Sequence, residues 1–178
     1  MTPSTRILLV LASLGALTAL VLLALIPVGG PLAAFSPPLY ALVVAVNSVL
    51  PFLARRMLGF PFAATFVSFF AGLLTGAFSS IGFLVLVPLV AGSLTFDLVV
   101  SLLNRIRRDR RPGEWRWAVA AAASGVVLFL VSLPVFSPGD LIPSILVVTL
   151  VARVAGQLAA SLLSRVLAAR LARAGISA

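Results

Sequence analysis

The sequence predicts an all-α, polytopic membrane protein: a six-helix transmembrane bundle with both termini in the cytoplasm. Three observations predict it. Of 178 residues, 62% are apolar and 10% are charged, with a mean hydropathy of +1.24. Soluble domains average about 45–50% apolar and about 25% charged, and no soluble fold of this length has the interior to hide so much apolar surface. Six apolar runs approach the roughly 20 helical residues that cross about 30 Å of hydrocarbon. Their apolar character runs all round, as buried helices require and alternating barrel strands do not. Finally, the arginines collect in every second gap between the runs.

The first run, Ile7–Ile26, ends at Pro27-Val28-Gly29-Gly30-Pro31, where two prolines remove helical donors. It has a basic start, but it exceeds the about 7–15 apolar residues of a signal-peptide core, so it is read as a retained span. Leu39–Leu53 follows Pro37-Pro38 and is the shortest run. Arg55-Arg56, Gly59 and Pro61 separate it from Phe60–Phe78. Ser79-Ser80 and Gly82 form a tight link into Ile81–Leu103. Trp115–Leu133 comes next; Pro134, Pro138 and Gly139 part it from Leu141–Leu163. Residues 164–178 continue as a basic amphipathic tail, expected at the cytoplasmic interface. No internal repeat is visible, so residues 1–178 read as one domain.

Lys, His and Cys are absent; the thirteen cations are all Arg, against four acids, for a net charge of +9. Without His or Cys there is no disulfide framework, thiolate nucleophile, imidazole acid–base pair or ordinary zinc or haem site, so neither metal nor cofactor is expected. Arg6; Arg55 and Arg56; Arg105, Arg107, Arg108, Arg110, Arg111 and Arg116; and Arg165, Arg170 and Arg173 make twelve of the thirteen. A six-span chain puts all twelve on one side, which the positive-inside rule makes the cytoplasm. Lying between apolar runs rather than on a solvated face, they mark topology, and no nucleic-acid partner is expected. Trp115 and Trp117 read as interfacial-belt residues, and Phe35, Tyr40, Phe78 and Phe83 belong to the outer ends and linkers.

A charge at the bilayer centre costs about 2.5–3.5 kcal/mol on insertion scales, so such a residue needs a partner or a wet cavity. Asp97 in the fourth run and Arg153 in the sixth qualify. At about 1.5 Å per residue they lie roughly 24 Å and 18 Å below their outer ends, within reach of one another. Arg153 and Gln157, four apart, share a helix face. The pair reads either as an ion bond locking two helices or as the polar floor of a solute site, to which Asn47, Ser93 and Thr149 would add. Small residues four apart, as at Ala12 and Ala16, let helices approach closely.

With these features in view, the chain resembles the S component, the membrane-embedded substrate-capture subunit, of energy-coupling factor (ECF) vitamin transporters. Ala12-x-x-x-Ala16 is similar to the small-residue motif by which such subunits dock on the coupling protein. Gly92-Ser93-Leu94-Thr95-Phe96-Asp97-Leu98-Val99-Val100 resembles the glycine-rich, acid-bearing stretch of the thiamine and hydroxymethylpyrimidine branch, which usually has Glu where this chain has Asp97. Arg153-x-x-Gly156 and the ending Leu171-Ala172-Arg173-Ala174-Gly175-Ile176 are similar to that branch's last helix and tail. The metal-transporting branch uses an N-terminal Met-His start, which this chain lacks. The resemblance implies a plasma-membrane subunit that takes a small vitamin or precursor from outside, closed over by its outer linkers, and works with a transmembrane coupling protein and two cytoplasmic ATPases. Asp97 would meet a cationic ring or amine, and Arg153 or Gln157 a carboxylate or hydroxyl. Asn47, Ser93, Thr149, Tyr40 and Phe83 would complete the site, and Asp97→Ala would weaken binding at least tenfold, about 1.4 kcal/mol.

The chain has no phosphate-binding Gly-Lys-Ser/Thr loop, so ATP hydrolysis falls to partners. A stand-alone or proton-coupled carrier, with Asp97 as proton site, is one alternative, and a structural or assembly scaffold is another. An intramembrane enzyme lacks a visible nucleophile and base. Reporter fusions within residues 105–111 are expected to read cytoplasmic; an exterior reading there would overturn the six-span arrangement.

Overall fold

The computed structural model describes residues 4–80, 82–106, 113–135 and 142–175. The Arg107, Arg108, Arg110 and Arg111 cluster, Asp109, Asp140, Ile81, Leu141, Pro138-Gly139 and the tail beyond residue 175 lie outside them. The described residues form helices α1 (Thr5–Phe35), α2 (Pro37–Val44), α3 (Val49–Leu58), α4 (Ala63–Phe78), α5 (Leu86–Ile106), α6 (Glu114–Ser132) and α7 (Pro143–Arg173). Short 3₁₀ turns at Ala45–Ser48, Gly82–Val85 and Leu133–Val135 complete them. α2, its 3₁₀ turn and α3 make one continuous element, Pro37–Leu58; with α1, the Gly82–Ile106 element, α6 and α7 it gives five helices long and apolar enough to cross a membrane. α4 is apolar but only 16 residues long. The chain is thus an all-helical, multi-pass membrane protein.

α1 packs on α4, α4 on α5, α5 on α6 and α6 on α7; α7 packs on α2 and α3, which return to α1 and close the ring. The solvent preference is inverted relative to a soluble bundle. Leu9, Leu20, Val151 and Leu162 point outward, whereas Thr18, Ser68, Asp97, Thr149 and Gln157 are each at most 1% exposed. Close approach inside the ring relies on small residues. A Cβ on Gly15 would lie 2.6 Å from Phe70 Cβ, and one on Gly125 would lie 2.9 Å from Val154 Cα. Gly15 therefore serves packing of α1 on α4, leaving Ala12 and Ala16 half-buried beside it.

Several helices run past their expected ends. α1 continues through Pro27 and Pro31 to Phe35 instead of stopping at Pro27. Proline removes one donor per site, and a long apolar helix tolerates that loss. α3 carries Arg55 and Arg56 within its last turn rather than in a linker, because both guanidiniums find buried partners that a linker would not need. α7 extends to Arg173, taking in most of the expected tail. The 3₁₀ turns have a cause in sequence. Pro51 and Pro88 stand three residues into α3 and α5, and neither can donate to the carbonyl four residues before it, at Asn47 or Leu84. The winding tightens over those residues instead.

The most consequential difference concerns Asp97. It does not pair with Arg153: its Oδ1 lies 3.2 Å from Arg55 Nε, with both side chains buried. Oδ2 accepts from Thr65 N and Thr65 Oγ1, each at 2.8 Å. Phe62, the N-cap of α4, offers no side-chain cap, so a carboxylate from α5 takes up a first-turn N–H and meets the positive end of the helix dipole. Arg55 Nη1 donates to the carbonyls of Gly59 (2.9 Å) and Phe60 (2.8 Å), and Nη2 to Ser101 Oγ (3.1 Å). Gly59 makes this turn possible with its φ of 61°, which a residue with a Cβ rarely adopts. Arg56 donates to Ser161 and Ser164 of α7, lies 3.3 Å from Glu114 of α6, and stacks 4.2 Å over the Trp117 ring. Trp117, expected in the lipid belt, is instead half-buried between Arg56 and Phe96.

Two outcomes follow in thermal denaturation of the detergent-solubilised protein. Asp97→Asn strands the Arg55 charge and is expected to cost about 3–5 kcal/mol, while adding Arg55→Gln recovers part of the loss; an additive double variant would refute the coupling. Gly125→Ala pushes a methyl onto the α7 backbone and is expected to cost about 1–3 kcal/mol.

Candidate functional site

A cavity of about 110 Å³ lies in the half of the bundle away from the arginine-bearing helix ends. Leu22 of α1, Tyr40 and Val44 of α2, Asn47 and Ser48 of the first 3₁₀ turn, and Ser68 of α4 line one part of it. Val85 of the second 3₁₀ turn, Pro88, Leu89, Gly92 and Ser93 of α5, Leu128 of α6, and Arg153 and Gln157 of α7 line the rest. Both proline-tightened turns therefore border it. Its volume suits a small organic solute or several waters.

The floor is polar and then closed. Ser68 Oγ and Ser93 Oγ hydrogen-bond across α4 and α5, and Ser124 Oγ donates to Gly92 O at 2.8 Å. One turn nearer the arginine-bearing end, the Phe52 and Phe96 rings stack at 3.7 Å, 14° from parallel, both fully buried. Asp97 and Arg55 occupy that same deeper level.

The wall holds buried polar atoms that the protein leaves unpartnered. Asn47 Oδ1, Arg153 Nε and Gln157 Oε1 are enclosed with no hydrogen-bond partner among the described residues, in residues 5%, 8% and 1% exposed. Native interiors leave few such groups, because each costs about 1–3 kcal/mol, more when charged. Three of them border one cavity. Arg153 also faces the Tyr40 ring, with its guanidinium carbon 5.6 Å from the centroid.

Of the residues expected at a solute site, Asn47, Ser93, Arg153, Gln157 and Tyr40 line this cavity together. Asp97 does not line it and is held by Arg55 and Thr65. Thr149 sits one turn from Arg153 on α7, buried with Oγ1 unpartnered, outside the lining. Phe83 packs on Gly76 of α4, 2.6 Å from where a Cβ would stand, and is largely exposed. Ser48 and Ser68 were not anticipated. Ser68 had a signal: Thr65, Ser68, Gly72 and Thr75 recur at helical spacing in an otherwise apolar run.

No protein-family model matches the chain, and no curated protein matches it in sequence. A solved structure does match: the crystal structure of an S-component of an ECF transporter, at a TM-score of 0.84 and 24% identity, over 98% of this chain and 88% of that chain. At that identity the likeness is one of fold, and by fold this chain has the architecture of an ECF transporter S-component.

Proposed function

We propose that the chain is the substrate-capture subunit of an ECF-type importer, taking a small vitamin or vitamin precursor from outside the plasma membrane. The cavity carries this reading, because Asn47, Arg153 and Gln157 are buried around it, each with a polar atom that no described protein group engages. The fold likeness supports it. Six spans with both termini inside would put the arginine-bearing ends in the cytosol and the cavity toward the exterior. Transport would then require a transmembrane coupling protein and two ATPases. Ala12 and Ala16, half-buried beside outward-facing Leu9 and Leu17, are the proposed docking strip. The Gly92–Val100 stretch favours kinship with the thiamine and hydroxymethylpyrimidine branch by sequence. Of that stretch, Gly92 and Ser93 reach the cavity, while Asp97 serves the bundle. The proton-coupled alternative made Asp97 its proton site and loses support from that pairing.

Purified protein in neutral detergent is expected to be stabilised by at least one member of a panel of water-soluble vitamins and precursors. Asn47→Leu should weaken that binding at least tenfold, about 1.4 kcal/mol, in a titration. A folded protein that answers to no member would overturn the reading.

A further inference from the structure

The charge inventory around the cavity narrows its ligand. Among the described residues, Arg153 is the one charged side chain in the lining. Among the described residues no carboxylate pairs with it. Asp97 is engaged by Arg55 and Thr65, and Glu114 lies at the arginine-bearing end between Arg56 and Arg165. What Arg153 does have is the Tyr40 ring. A cation–π contact of this kind is worth about 0.5–2 kcal/mol, against about 2.5–3.5 kcal/mol for a charge held at membrane depth. The ring steadies the guanidinium without neutralising it.

A guanidinium so placed presents a planar fork of donors that matches a carboxylate in bidentate fashion. Gln157 stands one turn along the same face, and Asn47 faces the cavity from the first 3₁₀ turn. Their amides offer acceptors and donors, suited to hydroxyl, amide or ring-nitrogen groups. Leu22, Val44, Leu89 and Leu128 supply apolar wall. Among the described residues no acid lines the cavity to receive a cation, and Arg153 would repel one.

We infer that this cavity selects a small anion, a monocarboxylate with a compact apolar body and one or two polar substituents, its carboxylate held by Arg153 and its polar groups by Gln157 and Asn47. This rests on the capture reading of the same cavity and departs from the cationic ligand that the Gly92–Val100 resemblance implies.

The test is thermal stability of the full chain in neutral detergent with matched probes: nicotinate and nicotinamide, pantothenate and panthenol, biotin and biotinamide, with thiamine as the cation. At least one acid is expected to raise the melting temperature by about 3 °C or more where its neutral counterpart does not. Arg153→Gln should abolish that rise while leaving ligand-free stability equal or higher, since it removes an uncompensated charge. Arg153→Lys, which keeps the charge but not the fork, should retain only part of the response. The anion inference falls if a neutral probe or thiamine stabilises more than the acids, if Arg153→Gln keeps the acid response, or if Arg153→Gln unfolds the ligand-free protein. Were no probe of any charge to stabilise the folded wild type, the capture reading would fall with it.

Discussion

The bundle is organised by the need to hold a carboxylate where water cannot reach it. Asp97 is fully buried, and the turn from α3 into α4 is tied to it through Arg55. Its carboxylate caps a helix that has no cap of its own, and its cation comes from the last turn of α3. That same cation takes the carbonyls left free where the chain turns from α3 to α4. Three helices and one turn thus share a single electrostatic knot. Each group in it would be costly alone, and each is tolerable because the others are there.

This arrangement divides the molecule along its length. Toward the arginine-bearing end the buried cations have polar or charged partners: Arg55 with Asp97, Arg56 with Glu114 and the serines of α7, Arg116 with Asn104. Toward the other end the serines pair, Ser68 with Ser93 and Ser124 with Gly92 O, while Asn47, Arg153 and Gln157 keep buried polar atoms without a partner among the described residues. The stacked Phe52 and Phe96 rings form the boundary between the two regimes. Polar residues in a membrane bundle need not have one meaning. Here their degree of satisfaction separates those that tie helices together from those that border the cavity.

Much of the architecture was legible in the sequence, because length and hydropathy of a span are set by bilayer thickness alone. The helical spacing of Arg153 and Gln157 put both on one face, and Asn47 and Ser93, polar in apolar runs, and Tyr40, aromatic at an outer end, join them at the cavity. The partner of Asp97 was not legible. Depth pointed to Arg153, and Arg55 was read as linker; its place within α3 is what brings it to Asp97. That place depends on buried partners in α5, α6 and α7, which local composition does not contain. The helix ends failed for a related reason. Prolines at 27 and 31 are stop signals in water, yet in an apolar helix a single missing donor is a smaller penalty than an exposed backbone.

The two proline-tightened turns deserve a mechanical reading. Winding at about 3.0 rather than 3.6 residues per turn advances each residue by roughly 20° more, so the four residues Ala45–Ser48 swing the following helix through roughly 80°. The second span is thereby a shaft with a built-in phase offset. Its upper segment shows Tyr40 and Val44 to the chamber, while its lower segment delivers Arg55 to α5. Any displacement of the chamber side of that shaft would act on the very splice that sets the azimuth of the deep ion pair.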